Sequence, residues 1–161
     1  MRKVLIAVAA TLVAASPALA NEGRIEARGG VNWQAGQSEA TTGLAAGYDY
    51  DLGSSAFGGV EVSGDKILNS ANNRVAFGFT GRLGAKVAGS DKLFVAGGYT
   101  TKSCTTCKDG EHLGAGYEHN FGPLYGKVEY RHNFTNGGAA DGNSAVAGLE
   151  IGRASCRERV Y

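Results

Sequence analysis

The sequence predicts an all-β fold, an eight-stranded antiparallel up-and-down transmembrane β-barrel with a truncated last strand. Three observations lead to this fold class. Apolar and polar residues alternate in eight successive segments, the connections between these segments are alternately long and short, and aromatic residues gather near the ends of the apolar faces. Alternation with a period of two is typical of strands that have two unlike faces. Alternating loop lengths are typical of a meander whose two ends face different compartments.

The segments follow one another along the chain with the same pattern. In the first segment, RIEARGGVNW, Ile25 and Val31 share one face, and Arg24 and Glu26 share the other. The pattern recurs in GLAAGYDYDL, AFGGVEVS, RVAFGFTGRL, KLFVAGGYT, HLGAGYEHNF and LYGKVEYRHNF, and SAVAGLE begins an eighth segment. Phe94 is an exception, because it falls on the polar face of the fifth segment.

The connections are the second observation. We predict long connections at 34–42, 64–73, 101–111 and 135–143, and shorter ones at 53–55, 87–91 and 122–123. If the strands form a meander, all the long connections lie at one end of it. Short turns at one end and longer loops at the other are typical of barrels that cross the outer membrane of bacteria.

The polar face carries acidic and basic residues in near balance. Such a set suits a narrow lumen in which side chains neutralise one another, because an unpaired buried charge is costly. We predict a lumen charge network of Arg24, Glu26, Arg28, Asp49, Asp51, Glu61, Arg74, Arg82, Glu118, Lys127, Glu129 and Arg131.

The apolar face is rich in Gly and Ala, with aromatic rings near the strand ends. We predict two aromatic girdles, of Trp33, Tyr99, Tyr130 and Phe134 at the long-loop end and of Tyr50, Tyr117 and Phe121 at the short-turn end. Two aromatic belts around a waist of small residues fit the interfaces of a membrane. The alternative is a soluble sandwich or lipocalin-like binding barrel, whose charged face would be outside and whose core would need bulky residues at its centre.

The chain begins with a stretch typical of a secretory signal peptide. Residues 1–20, MRKVLIAVAATLVAASPALA, contain a positive start, an apolar run of about a dozen residues and a small-residue cleavage site. That run is shorter than the roughly 20 residues of a membrane-spanning helix. We therefore expect the chain to be exported and cleaved before Asn21, and residues 21–150 to form one barrel domain.

The last segment, IGRASCRERVY, departs from the pattern. It matches the translation of a common short-read sequencing adapter, so we interpret 151–161, and with them the end of the Glu150 codon, as an artefact that replaces the end of the last strand. This interpretation predicts a short eighth strand whose own sequence runs from about Ser144 to Glu150. We expect Ala145 to about Gly152 to pair with the segment that holds Ile25 to Trp33, and the tail to leave the barrel after that. The seam between the first and last strands would then stay partly open.

The charge of the chain excludes one class of function. The whole sequence has a net charge of +1. Without the two cations of 1–20 and the three arginines and one glutamate of 151–161, the rest has 11 basic and 14 acidic residues, a net charge of −3. Nucleic-acid binding needs a basic surface, so we exclude a nucleic-acid partner.

One loop contains a constellation that could carry chemistry. The segment KSCTTCKDGEH holds Cys104 and Cys107, which we predict to form a disulfide because exported chains meet oxidising conditions. The alternatives are free or redox-active thiols, and a zinc site with the two thiols, His112, and Asp109 or Glu111 as ligands. A thioredoxin-like role would need a βαβ context, which the sequence does not predict.

No other motif in the sequence predicts an enzyme or a cofactor. GxGxxG and GxxxxGK motifs are absent from the sequence, and we expect no metal or cofactor. An outer-membrane lipid hydrolase would need a histidine close to a serine. His132 has Thr135 near it but no serine close by in the sequence.

The mature chain resembles the small outer-membrane β-barrel proteins of the opacity and OmpX type, which are common in Gram-negative bacteria. The segments AAGYDYDL, VAGGYT, LGAGYEHNFGPLYGKVEYRHNF and AVAGLE carry the resemblance. The resemblance implies that the protein is a monomer in the outer membrane, with membrane lipids and the barrel-assembly machinery as its partners. Chains of this type usually end in an aromatic residue, commonly Phe, that the assembly machinery recognises. If residues 151–161 come from an adapter, they would have replaced that residue.

The expected function follows from the size of the barrel. An eight-stranded barrel has an interior just wide enough for side chains, so an open pore is not expected. We therefore expect a non-catalytic role in envelope integrity or in contacts with other surfaces through the loops, with an unknown surface partner. A narrow porin-like solute channel is the main alternative.

Overall fold

The structure, a computed structural model, describes residues 21–68, 74–87, 91–104, 107–136 and 140–154. The predicted signal peptide and residues 155–161 lie outside these ranges. Within them, the chain contains no helix that is long and apolar enough to cross a bilayer.

The described residues form a closed antiparallel β-barrel of eight strands, as predicted. Each strand pairs with the next one in the sequence, and the last strand pairs with the first. The strands are β1 (Asn21–Gln34), β2 (Gln37–Asp51), β3 (Ala56–Ile67), β4 (Ala76–Val87), β5 (Asp91–Thr100), β6 (Gly110–Asn120), β7 (Tyr125–Thr135) and β8 (Gly142–Ala154).

The register of the strands sets the width of the barrel. Moving from Asn21 through directly paired residues once around the barrel leads to Val31, ten residues further along β1. With eight strands, this stagger gives a tilt of about 40° and a barrel radius of about 8 Å. At that radius the inward side chains fill the interior.

The two ends of the barrel differ. The terminal end contains Asn21, the end of β8 and short connections at 52–55 and 121–124, where we predict turns at 53–55 and 122–123. Most of the third predicted short connection, at 87–91, lies outside the described residues. The loop end contains the longer connections after β3, β5 and β7.

The predicted long connection at 34–42 is wrong. β1 ends at Gln34 and β2 begins at Gln37, so only Ala35 and Gly36 form the turn between them. Their φ angles, 50° and 81°, are both positive, as in the type I′ turn that matches the twist of a hairpin. The sequence hid this turn, because Ala rarely adopts a positive φ.

The predicted pairing of Ala145 to about Gly152 with the first strand is confirmed, but the prediction of a short β8 with a partly open seam is wrong. β8 has 13 residues and pairs with β1 along its whole length, from Gln34–Gly142 to Glu22–Ala154. The first residues of the segment interpreted as an artefact keep the strand alternation, because Ile151 is exposed on the outside of the barrel. The barrel is therefore closed on all sides.

Ala35→Asn should raise the free energy of unfolding by about 0.5–1 kcal/mol, because Asn tolerates a left-handed backbone better than Ala does. The measurement is urea-induced unfolding of the barrel in lipid vesicles. Ala40→Asn is the matched control in the extended part of the same hairpin, and it should not stabilise the barrel. Equal effects of the two substitutions would contradict strain at Ala35.

Candidate functional site

The barrel is apolar outside and charged inside. Large apolar side chains such as Ile25, Leu44 and Leu149 are more than 60% exposed on the outer surface. Side chains such as Glu26 and Lys127 are almost completely buried in the lumen. A soluble barrel has the opposite distribution, so the structure is inconsistent with the soluble binding barrel and has the pattern of a transmembrane barrel.

The lumen near the terminal end holds a first group of ion pairs. The Asp49 carboxylate accepts a hydrogen bond from Arg82 Nε at 2.9 Å and lies 3.0 Å from Lys92 Nζ and 3.6 Å from Arg24 Nε. The Glu118 carboxylate lies 3.0 Å from Arg82 Nη1 and 3.1 Å from Lys92 Nζ. β1, β2, β4, β5 and β6 each supply one residue, so these pairs cross the barrel interior.

Lys127 is the centre of the second group. Its side chain is completely buried, and its ammonium group forms an ion pair with Glu26. It also lies 3.3 Å from Glu150, 3.4 Å from Glu61 and 3.6 Å from Glu129. One ammonium group is therefore shared by four carboxylates from four strands.

Two arginines continue the network toward the loop end. Arg28 donates to Glu61 at 3.0 Å through Nη1 and to Asp65 at 2.7 Å through Nε. Arg131 donates to the two carboxylate oxygens of Glu129 at 2.5 and 3.0 Å, and its Nη2 lies 3.5 Å from Glu61.

The two groups are joined by Arg24, which lies 3.1 Å from Glu61 and 3.7 Å from Glu150. Each of the six buried cations in this network contacts at least two carboxylates. These cations are Arg24, Arg28, Arg82, Lys92, Lys127 and Arg131. Six buried carboxylates of the network match these six cations in number, and Glu22 and Asp65 add two partly buried ones. The six are Glu26, Asp49, Glu61, Glu118, Glu129 and Glu150.

Phe94, the exception in the predicted alternation, packs into this network. It points inward and is buried with Phe57, which is fully inaccessible. The guanidinium carbon of Arg82 lies 5.0 Å from the centre of the Phe94 ring and 5.2 Å from that of Phe57. The two rings thus close the lumen beside the charges and hold Arg82 by cation–π contacts.

Two predicted members of the network lie elsewhere. Arg74 is exposed and precedes β4, although it has the parity of the inward residues of that strand. Asp51 is only partly buried, at the terminal end of β2, where it pairs with Lys86 at 2.6 Å. Alternation predicts the face of a residue correctly, but it does not show where the strand leaves the barrel.

The structure also adds residues that the prediction missed. Asp65 and Lys92 continue the inward alternation of β3 and β5, so the signal was present in the sequence. Glu22 pairs with Lys92 at 2.9 Å. Glu150, which borders the tail in the sequence, has an almost completely buried side chain next to Lys127.

The aromatic residues of the two predicted girdles lie on the outer surface. Trp33, Tyr99 and Phe134 lie near the loop end, and Tyr50, Tyr117 and Phe121 lie near the terminal end. Tyr130 is close to the middle of β7, but its ring centre is 6.3 Å from that of Trp33. Its hydroxyl donates to Asn143 Oδ1 at 2.7 Å.

Asp91 was not predicted, and it organises the group at the terminal end. Its carboxylate accepts hydrogen bonds from the Tyr117 hydroxyl and, at 3.1 Å, from the Asn120 backbone N–H. His119 Nδ1 lies 2.8 Å from the same carboxylate, and the His119 ring packs edge-on against Phe121 at 4.5 Å.

Cys104 and Cys107 are bonded to each other in the loop after β5. His112 is buried in the lumen, where its Nε2 lies 3.0 Å from Thr80 Oγ1 and its Nδ1 lies 3.0 Å from Thr100 Oγ1. Both sulfurs and both ring nitrogens are thus committed, and the arrangement does not fit the alternative zinc site.

A second group of potential metal ligands is already paired with a cation of the protein. Oxygens of Glu26, Glu61 and Glu150 lie within 4.8 Å of one another. The Lys127 ammonium group already contacts all three. A metal ion would have to displace that buried cation, so these carboxylates do not fit a metal site.

Comparison with solved structures supports the fold. Neisserial surface protein A is similar with a TM-score of 0.56 and 11% identity, over 81% of this chain and 96% of that one. The N-terminal β-barrel domain of Pseudomonas aeruginosa OprF matches with a TM-score of 0.56 and 14% identity, over 83% of this chain and 100% of that domain. Ail, the attachment invasion locus protein of Yersinia pestis, matches with a TM-score of 0.55 and 10% identity, over 84% of this chain and 100% of that one.

No family model matches the chain, and no curated protein matches it in sequence. At identities of 10–14%, the structural matches show the fold alone. The chain thus has the closed eight-stranded barrel fold of these proteins, and its lumen is filled by a charge network of its own side chains.

Lys127→Met should lower the free energy of unfolding by about 3–5 kcal/mol, because it leaves four buried carboxylates without their shared cation. Lys86→Met is the matched control. Lys86 is 27% exposed and has one carboxylate partner, so its loss should cost about 1 kcal/mol or less. The measurement is urea-induced unfolding in lipid vesicles, and equal losses for the two variants would contradict a dry, charge-matched lumen.

Proposed function

We propose that the protein is a monomeric outer-membrane β-barrel with a non-catalytic role in envelope integrity and in surface contacts made by its loop end. The apolar outer surface supports a location in a membrane, because hydrocarbon requires closed backbone pairing and apolar side chains. Membrane lipids and the barrel-assembly machinery are then its partners. The observation that carries the proposal is the inside-out distribution of charge.

The lengths of the connections at the two ends indicate how the barrel is oriented in the membrane. In barrels of this kind the short turns face the periplasm and the longer loops face outward. The terminal end, with the connections at 52–55 and 121–124, is therefore the periplasmic end. The loop end, with the Cys104–Cys107 disulfide, faces the outside of the cell, where oxidising conditions preserve a disulfide.

The lumen supports a closed barrel rather than a channel. Inside the barrel, Arg82 pairs with Asp49 of β2 and Glu118 of β6, and Phe57 and Phe94 pack against Arg82. Lys127 reaches Glu61 of β3, the strand opposite its own. A solute would have to break several buried ion pairs to pass. Solute conduction is therefore not part of the proposed role.

The histidines of the outer surface do not support catalysis. His119 Nδ1 contacts Asp91, and His132 Nδ1 lies 2.9 Å from Asn143 Oδ1. Within the described residues, neither ring is hydrogen-bonded to a serine, threonine or cysteine that could act as a nucleophile. This arrangement is better suited to packing at a membrane interface than to lipid hydrolysis.

The location and orientation are tested by labelling lysines in intact cells. Lys102 and Lys108 are exposed at the loop end and should react with an amine reagent that cannot cross the membrane. Lys86, at the terminal end, should react only after lysis. Labelling of Lys86 in intact cells, or recovery of the protein without membranes, would contradict the proposal.

The absence of conduction is tested on the same preparation. The purified barrel, inserted into planar bilayers, should give no discrete conductance steps at moderate voltage. Lys127→Met serves as the comparison, because it removes the cation at the centre of the lumen. Regular steps with the unsubstituted protein would favour the narrow solute channel instead.

A further inference from the structure

Two carboxyl groups of the lumen lie directly opposite each other. Glu26 of β1 and Glu150 of β8 are cross-strand partners, and both side chains point inward and are almost completely buried. An oxygen of each lies within 4.8 Å of the other and of an oxygen of Glu61. Two like charges in opposite positions repel each other, and burial strengthens the repulsion. The pair therefore needs a cation or a proton between its members.

The cations nearby bind Glu26 and Glu61 rather than Glu150. The Lys127 ammonium group donates to Glu26 and, at 3.4 Å, to Glu61. It lies 3.3 Å from Glu150 Oε1, but within the described part of the chain this oxygen accepts no hydrogen bond. Arg24 Nη1 donates to Glu61 at 3.2 Å and is 3.7 Å from the same oxygen of Glu150. Both cations thus direct their hydrogen bonds away from Glu150.

The lumen has a surplus of hydrogen-bond acceptors around this pair. Among the described residues, four buried carboxyl oxygens have no donor, namely Glu26 Oε1, Glu118 Oε1 and both oxygens of Glu150. The buried side-chain nitrogens without an acceptor are two, both on Arg24, and each already lies within 3.6 Å of another carboxylate. A buried acceptor without a donor is costly, so the lumen lacks donors where Glu150 lies.

The balance of charge leads to the same conclusion. The six buried cations of the network face six buried carboxyl groups and two partly buried ones, Glu22 and Asp65. These two already occupy Lys92 and Arg28. With every carboxyl group ionised, the network would carry a negative excess. A proton reduces that excess and supplies a donor at the same time.

Charged and titratable groups from several strands surround Glu150. They are Glu22, Arg24 and Glu26 of β1, Glu61 of β3, Arg82 of β4, Glu118 of β6, and Tyr125, Lys127 and Glu129 of β7. Each of the three cations in this set donates hydrogen bonds to other carboxylates. The Tyr125 hydroxyl is hydrogen-bonded to Glu22. The donors of this set are therefore used elsewhere.

We propose that Glu26 and Glu150 bind one proton between them in the closed barrel. The proton is held by an oxygen of Glu150 and donated to Glu26 Oε1, while Glu26 Oε2 stays bound to Lys127. Glu26 Oε1 lies against Gly148, where a Cβ would collide with it, so this oxygen leans toward the strand of Glu150. One proton shared by two carboxyl groups is the expected state where two like charges are too close to ionise together.

The proposal concerns the lumen alone and goes beyond the proposed function, because it does not depend on where the barrel is located. It makes the stability of the barrel depend on pH. In the unfolded chain, Glu150 is ionised above about pH 5. The closed barrel then holds one proton more than the unfolded chain, so it becomes easier to unfold as the pH rises, until the proton leaves Glu150.

Infrared spectroscopy detects the proton directly, because the carbonyl stretch of a protonated carboxyl group lies apart from the carboxylate bands. The purified barrel in a detergent without ester groups should show one such group at neutral pH. Glu150→Gln should remove the band. Glu26→Gln should remove it as well, because Glu150 then ionises and binds Lys127. Glu111→Gln, the matched control, replaces an exposed glutamate of β6 and should leave the band unchanged.

Urea-induced unfolding provides a second measurement. At neutral pH, Glu150→Gln should lower the equilibrium constant for unfolding by about tenfold or more, because Gln keeps a donor toward Glu26 and needs no proton. Glu129→Gln should raise the same constant by about a hundredfold or more, because it breaks a buried pair with Arg131. From about pH 5.5 to neutral pH, the constant of the unsubstituted barrel should rise about tenfold more than that of Glu150→Gln.

Three results overturn the proposal. The first is the absence of a protonated carboxyl band at neutral pH, which would mean that Glu26 and Glu150 are both ionised with water or a bound cation between them. The second is a band that persists in both Glu150→Gln and Glu26→Gln, which would place the proton elsewhere in the lumen. The third is equal destabilisation by Glu150→Gln and Glu129→Gln, which would make Glu150 an ionised partner of Lys127. The spectrum of the unsubstituted barrel decides the first point even if a variant fails to fold.

Discussion

The pairing of buried charges is the constraint on which the rest of this structure depends. Side chains fill the interior of a barrel whose backbone radius is only about 8 Å, so little water is left to solvate an ion and each inward charge needs a partner on another strand. Lys127, with four carboxylates around its ammonium group, is the clearest case. Because its partners come from β1, β3, β7 and β8, the pairs are satisfied only when the barrel is closed.

Closure in turn determines what the outer surface must be. With all eight strands paired, the backbone presents no open edge, and alternation places every second side chain outside. Those outward residues are apolar through the waist, and aromatic groups lie near both ends. The charged lumen and the apolar exterior are thus two consequences of one alternating pattern, and together they distinguish this barrel from a soluble one.

Much of this arrangement could be predicted from the sequence, because strand alternation reports directly on faces. The fold class and the inward side of residues such as Arg24 and Glu129 follow from a period of two. Strand ends do not follow from it, so Arg74 was placed in the lumen although it precedes β4. The turn at Ala35 was missed because it uses a backbone conformation that alanine rarely adopts.

Partner choice in the lumen could not be predicted for a different reason. Alternation shows that Lys127 points inward, but only the stagger of the strands shows that Glu61 is within its reach.

A double-mutant cycle on Arg82 and Asp49 tests the central claim most directly. The free energies of unfolding of Arg82→Met, Asp49→Asn and the double variant are compared with that of the unsubstituted barrel in lipid vesicles. A buried, charge-matched lumen predicts a coupling energy of about 2 kcal/mol or more that changes little between low and high salt. A coupling below about 0.5 kcal/mol, or one that high salt removes, would mean that the pair is solvated and would contradict the account.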